Sequence, residues 1–391
     1  MRIPGHVIAP ILSLLAAGTV LAGTTGRAAA EERFTIEGSE GTRLSATSHG
    51  AFDEPWAMAF LPDGAMLVTE KAGTLQLVAE DGGKTPVAGV PAVAYGGQGG
   101  LGDVVLDPDF AENGVVYLTF AEAGTSGNGA AIARGILERD GARPALTGVE
   151  VIWRQSPKVS GNGHYSHRIV FGPEGSDQEG FMFVTSGDRQ KQDPAQDMTG
   201  NLGKILRLNP DGTVPADNPF QSEGPIAGQV WTLGNRNILG IDFDSRNRIW
   251  EVEMGPRGGD ELNLVERGGN FGWPLASDGI NYSGVSIPDH DPASDGFVAP
   301  KLSWTPVISP ASLLIYGGDV FADWRDDALI AALSGEALVH VSIDDETASE
   351  TERFSWDRRV REVDEAPDGA VFVLEDGPDG RLIELRPGEG G

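Results

Sequence analysis

The chain has 391 residues, a formal net charge of -29, 55 glycines, 25 prolines and no cysteine. That length suits two average domains or one large all-β domain, and the glycine and proline content favours short elements joined by turns. Like-charge repulsion argues against nucleic acid or an anionic membrane as partner, while the missing cysteines exclude disulfides, thiolate zinc sites and an acylated lipoprotein anchor.

The chain opens with Arg2, an apolar run from Val7 to Ala22, and Ala28-Ala29-Ala30 ahead of Glu31-Glu32. A charged start, an apolar stretch and a small-residue cleavage site predict a signal peptide over residues 1–30. Pro10, Gly18 and Thr19 interrupt the run and leave it short for a bilayer span, and no later segment is apolar for long enough. A periplasmic or secreted protein follows, without membrane insertion, whose folded domain covers 31–391.

From Phe52 onward one unit recurs, a Pro-Asp-Gly turn or a variant of it followed by an apolar strand. The units are Leu61-Pro62-Asp63-Gly64 into Met66-Val68, Asp107-Pro108-Asp109 into Val115-Phe120, and Gly172-Pro173-Glu174-Gly175 into Phe181-Thr185. Three more are Asp244-Ser245-Arg246-Asn247 into Ile249-Val252, Trp324-Arg325-Asp326-Asp327 into Leu329-Leu333, and Ala366-Pro367-Asp368-Gly369 into Val371-Leu374. Second strands follow at Thr74-Val78, Lys204-Leu208, Leu338-Ile343 and Arg381-Leu385. Six similar units favour radial repetition, an all-β six-bladed propeller, over a β-sandwich. The segment Arg33-Thr47 is expected to supply the strand that closes the ring, and Asp278 to Pro300 reads as a long surface loop.

In a propeller, strand ends from different blades converge on one face, so a site is scattered in sequence. Residues at such positions are Gln98, His164, Asp188, Arg236, Gly255-Pro256, Arg359 and Arg361. His164 is a candidate general base, and Asp188 a candidate to orient it; a structural histidine and a turn-capping aspartate are the plainer readings. Arg359 and Arg361 alternate along a strand and so share a side, a fork suited to carboxylates or phosphates, unless they are simply exposed. Gly255-Pro256 followed by Asp260-Glu261 offers hard oxygen ligands of the kind calcium takes, or else a plain tight turn. No glycine-rich strand-turn-helix loop is present for a nicotinamide cofactor.

With these residues in place, the chain resembles the soluble PQQ-dependent glucose and aldose sugar dehydrogenases from about Pro55 to Leu385. The matching stretches include PWAMAFLPDG, GQGGLGDVVLDPDF, HYSHRIVFGPEG, GNRNILG, GPRGGDELNLVERGGNFGWP and RRVREVDEAPDG. The resemblance implies a six-bladed propeller that oxidises the anomeric carbon of aldoses to lactones and passes electrons to a periplasmic acceptor. It implies PQQ and calcium as cofactors, the metal held by the Gly255 and Pro256 carbonyls. His164 would take the anomeric hydroxyl proton, Asp188 would steady it, and Arg236 would stabilise charge on the quinone. Gln98, Asn237, Met254, Arg359 and Arg361 fall at cofactor or substrate positions, and Glu261 with the Phe271 carbonyl at a second, structural calcium. Three residues depart from the family pattern: Met254 for Gln or His, Ser334 for a cofactor-binding lysine, and Val307 for Thr or Ser. The alternatives are a carbohydrate-binding or interaction propeller that has lost tight quinone binding, and a calcium-dependent lactonase, which would need carboxylate and amide side chains around its metal.

Overall fold

The computed structural model describes Met1 and residues 32–388; the expected leader, Met1 apart, lies outside the described residues. Six antiparallel sheets carry nearly all the regular structure, with one four-residue helix and four 3-10 turns among the described residues. The innermost strands are Pro55–Phe60, Leu101–Leu106, Ser166–Phe171, Ile238–Phe243, Pro310–Ile315 and Val360–Glu365. Each touches the next, and Val360–Glu365 returns to Pro55–Phe60, so the ring closes as a six-bladed propeller. We number the blades 1 to 6 by these strands.

Every turn unit read from the sequence is the hairpin between a blade's first and second strands: Leu61–Gly64, for instance, joins Pro55–Phe60 to Met66–Glu70. The strands read as second, such as Lys204–Leu208, are therefore third in their blades. The amino-terminal segment gives two strands rather than one. Arg43–Phe52 pairs with the carboxy-terminal strand Gly380–Pro387, joining the chain's two ends in blade 6, and Glu32–Glu37 adds a fifth strand outside it. Residues 278–300 hold no strand or helix, as expected of a loop. No helix among the described residues is long and apolar enough to cross a membrane.

The second strands of blades 3 to 6 are buried at all five positions, as Met182–Ser186 and Val371–Glu375 show. A strand covered on both faces reads as a continuous apolar run instead of alternating. The core is accordingly divided into six wedges, one between each pair of neighbouring blades. Leu118 with Leu67 fills the wedge between blades 1 and 2, Val184 with Ile132 that between 2 and 3, and Phe243 with Phe183 that between 3 and 4. Ile330 with Trp250, Leu329 with Val371, and Met66 with Phe372 complete the circle.

At the hub, Arg168 on the blade 3 inner strand is 5% exposed and touches all five other blades. Its guanidinium lies 4.1 Å from the Trp56 ring centre, 3.3 Å from Asp103 Oδ1 and 2.5 Å from Glu362 Oε2, and it donates to the Leu239 and Ala311 carbonyls at 2.8 Å each. It plugs the channel between two cavities: a larger one floored by Trp56 and His167, and one of about 510 Å³ at the opposite ends of the inner strands.

Each inner strand also carries a register shift against its partner near its first residues, as at Pro55/Met58, Ser166/Ile169 and Val360/Glu362. Bulges bend a strand and re-aim its side chains. Those of blades 1, 3, 4 and 6 contain Trp56, His167, Leu239 and Arg361, which line the larger cavity.

Removing Arg168 leaves Asp103 and Glu362 buried without their cation, which costs about 3–5 kcal/mol. Arg168→Leu is expected to lose that much in urea unfolding, and adding Asp103→Asn with Glu362→Gln to recover part of it. A single variant as stable as the parent would show that the plug does not hold the ring.

Candidate active site

The larger cavity, about 930 Å³, receives side chains from every blade. They stand at the starts of first strands, such as Arg236 and Arg361, or just beyond second strands, such as Lys71, Met254 and Asp376, because antiparallel pairing puts those two ends together. On a chain of net charge -29, this lining has Lys71, Arg236, Arg257, Arg359 and Arg361 against Glu54, Asp260, Asp278 and Asp376. Its size and mixed lining suit one organic ligand.

His164 Nδ1 lies 2.7 Å from Asp188 Oδ1. The carboxylate fixes the tautomer: Nδ1 carries the proton, and Nε2 is left as an acceptor. Both residues are buried. Burial, with the charges of Arg236 and Arg189, lowers the His164 pKa below its ordinary 6.5 against the opposing pull of Asp188. Burial alone would raise the Asp188 carboxyl, but the hydrogen bond and charge of His164, then Arg236 and Trp273, hold it below the usual range. The dyad is thus a neutral imidazole beside a carboxylate at physiological pH, a proton acceptor ready for use.

The backbone here is strained. His164, Ser166, His167, Arg189, Gln190 and Gln192 all have φ between 49° and 64°, a left-handed conformation that side chains resist and that clusters at functional sites. Gln98 Oε1 accepts the His164 N–H at 2.6 Å, and Arg189 donates to the carbonyls of Gly161 and Gly163 at 2.6 and 2.9 Å, holding the loop that leads into His164. A Cβ at Gly187 would stand 2.1 Å from the His164 carbonyl, so that position needs glycine.

Arg236 donates through Nη1 to the Met254 and Gly255 carbonyls at 2.7 and 2.6 Å, while its buried Nε has no partner. The Gly255 carbonyl, predicted as a calcium ligand, is thus shared with a guanidinium; its second lone pair remains for a cation. Asp260 fixes this turn, accepting from Gly255 N–H at 2.8 Å and, on blade 5, from Ile308 and Ser309 N–H at 2.7 and 2.6 Å. Arg359 and Arg361 do share a side, as their spacing predicts, and both grip Asp376, with contacts of 2.7 Å each. Asn237 accepts from the Ser166 hydroxyl at 3.3 Å, and its amide lies 3.6 Å from Met254 Sδ. Ser334 and Val307 meet on blade 5, where the Ser334 hydroxyl bonds Ser309 at 2.7 Å and supplies no charge.

Below Gly255 lies a void of about 10 Å³, room for about one water-sized sphere, lined by Glu253, Glu261 and Phe271. Glu251 Oε2 and Asn263 Oδ1, both buried beside it in sequence on the same strands, have no partner. Burial and the neighbouring carboxylates raise Glu251 well above its ordinary value and Glu253 to about 8. Among the described residues, no three His, Cys, Asp or Glu side chains are spaced to hold a metal by themselves. His167, three residues from His164, does not join the dyad. It is buried, bonded to Thr119 Oγ1 at 2.6 Å and stacked on Trp56, and burial pushes its pKa down to about 3.

Sequence reasoning missed Glu54 with Lys71, Asp376 and Trp273. The first three directly precede a first strand or follow a second strand, the signal that located Asp188 and Gly255.

The profile of the glucose/sorbosone dehydrogenase family matches residues 52–384. The chain belongs to that family. It is 38% identical over 345 residues to aldose sugar dehydrogenase YliI of Escherichia coli, covering 86% of this chain and 90% of that one. The crystal structure of the apo-form of soluble aldose sugar dehydrogenase from Escherichia coli superposes with a TM-score of 0.83 at 35% identity, over 88% of this chain and all of that one. The PQQ-bound aldose sugar dehydrogenase of Streptomyces coelicolor does so at 0.72 and 28%, over 88% of this chain and 98% of that one. The family therefore includes a member with PQQ bound.

The dyad geometry sets a pH expectation. The His164 ring should titrate below 6.5 and lower still in Asp188→Asn, where the charge favouring imidazolium is gone. An NMR titration placing the parent at or above 6.5 contradicts the assignment.

Proposed function

We propose that this protein is an exported PQQ- and calcium-dependent dehydrogenase that oxidises the anomeric carbon of aldoses to lactones and passes electrons to a periplasmic acceptor. The observation that carries the reading is the His164–Asp188 pair, 2.7 Å apart, in a cavity that also holds Arg236 and the Arg359–Asp376–Arg361 cluster.

The residues fit the cofactor. Arg236 brings a guanidinium to the cavity wall, and the paired arginines offer charge-assisted bonds to carboxylates. PQQ, when bound, supplies the two-electron acceptor for the hydride leaving the anomeric carbon, and calcium a Lewis acid beside it. Gly255 and Pro256 would hold that ion through their carbonyls. Glu261 and the Phe271 carbonyl would hold a second one, supported by the small void they share and by the unpartnered oxygens of Glu251 and Asn263.

His164 then takes the anomeric hydroxyl proton on Nε2, while Asp188 stabilises the imidazolium that forms. Arg236 places positive charge where negative charge develops, held in place by the Met254 and Gly255 carbonyls so that it need not reorganise. Gln98 holds the His164 backbone in its strained conformation. The names of the relatives support an aldose as substrate. The leader expected over residues 1–30 supports export. A lactonase would need carboxylate and amide side chains gathered around its metal, whereas among the described residues no three His, Cys, Asp or Glu side chains are spaced to hold one.

Purified protein given PQQ, calcium and aldoses should reduce an artificial acceptor dye, and His164→Ala should abolish turnover while still binding the quinone. Absence of both dye reduction and retained quinone absorbance would sink the proposal. Ser334 leaves the cofactor without one cation of the family pattern, so Ser334→Lys should tighten PQQ binding about tenfold in an absorbance titration, the worth of one charge-assisted bond. Unchanged affinity would show that blade 5 does not face the quinone carboxylates.

A further inference from the structure

Asp188 receives four hydrogen bonds. Its Oδ1 accepts from His164 Nδ1 and the Gln190 N–H, at 2.7 and 2.8 Å; its Oδ2 accepts from Trp273 Nε1 and the Gln192 N–H, at 2.9 and 3.2 Å. The Gln190 and Gln192 amides belong to the turn that carries Asp188 and move with it. Among the described residues, Trp273 is therefore the one donor that ties this carboxylate to another blade's chain. Trp273 is itself fixed: it is 5% exposed, packs against Ala195 and Ile287, donates its N–H to the Gly234 carbonyl at 2.9 Å, and accepts at its own carbonyl from Gln196 at 2.8 Å. The guanidinium of Arg236 lies 5.1 Å from its ring centre. One indole thus contacts both the carboxylate that orients the base and the cation of the electrophilic side.

We propose that Trp273 is a positioning residue for proton abstraction, which locks the Asp188 carboxylate through Nε1 and supports Arg236 with its ring. The idea rests on the reading of His164 as proton acceptor. Trp273 touches neither the substrate path nor His164 directly, so it acts through Asp188. Deleting its donor leaves the carboxylate freer to rotate and more basic, which strengthens its pull on imidazolium. The other charged or titratable groups facing His164 are Arg189 from its own blade and Arg236 from blade 4. Glu54 with Lys71, Asp260 and the Arg359–Asp376–Arg361 cluster stand across the cavity. Of these, Arg236 lies against the Trp273 ring, and phenylalanine keeps an aromatic face there.

Trp273→Phe keeps an aromatic ring and removes the indole Nε1–H that Asp188 accepts. In the cofactor-free protein, the His164 ring should titrate about half a unit higher in this variant than in the parent, a shift within reach of one lost bond to a charged group. In the reconstituted enzyme, kcat should fall several-fold, with the acid limb of its pH profile displaced the same way and KM within about twofold, because ground-state binding is untouched. An unmoved His164 midpoint overturns the proposal whatever the sugar assay shows, whereas a moved midpoint in an enzyme that oxidises no aldose would count against the functional reading alone. Should the variant not fold, the Trp273 indole proton of the unsubstituted protein, assigned through its contact with Ile287, decides the matter. Its resonance should shift with the His164 midpoint; one that stays constant across that midpoint overturns the proposal.

Discussion

One guanidinium holds the hub of the ring. Arg168 belongs to blade 3 but touches the other five, and its charge is matched by Asp103 and Glu362 in an environment nearly free of water. Between the blades the stabilising material is apolar and divided into six wedges, each of which secures only two neighbours. The polar hub is what all six share. Because Arg168, Trp56 and His167 close the channel, the cavity above them is a blind cup and not a through-pore. A reacting group bound there meets water from one side only.

That geometry explains why the site is scattered in sequence and yet dense in space. Antiparallel pairing sets the start of each first strand beside the end of each second strand, and the register shifts of blades 1, 3, 4 and 6 carry residues that line the cavity. Blade 3 contributes the dyad, blade 4 Arg236 and Gly255-Pro256, and blade 6 the two arginines with Asp376. The wedges and hub stabilise a ring within which the strained backbone around His164 can persist. Trp273 joins the parts, since it reaches from the loop between the third and fourth strands of blade 4 to the carboxylate of blade 3.

The hairpin turns were legible because Pro-Asp-Gly and its variants leave a local signature, and the second strands because each carries a short, mainly apolar run directly after that turn. Outer strands were not. Lys84–Pro86 is three exposed residues with no pattern to detect, and the extra strand Glu32–Glu37 is held by pairing with a neighbour that closes the ring from the far end of the chain. In the site, His164 and Asp188, Arg359 and Arg361 could be paired from spacing and position. Asp376 sat in Glu375-Asp376-Gly377, which reads as an ordinary turn, although it follows a second strand as Asp188 does. Trp273 lies nine residues beyond a third strand, where no rule of the repeat predicts convergence. The carbonyl bonds of Arg236 had no signal at all, because they are set by main-chain geometry and not by residue type.

The central claim is that this face removes a hydride from the anomeric carbon while His164 takes the hydroxyl proton. Anaerobic single-turnover reduction of the PQQ- and calcium-loaded protein by an aldose deuterated at C1 tests it most directly. The account predicts reduction several-fold slower than with the unlabelled sugar. Equal rates for the two sugars, in a step shown to be the reduction itself, would contradict it.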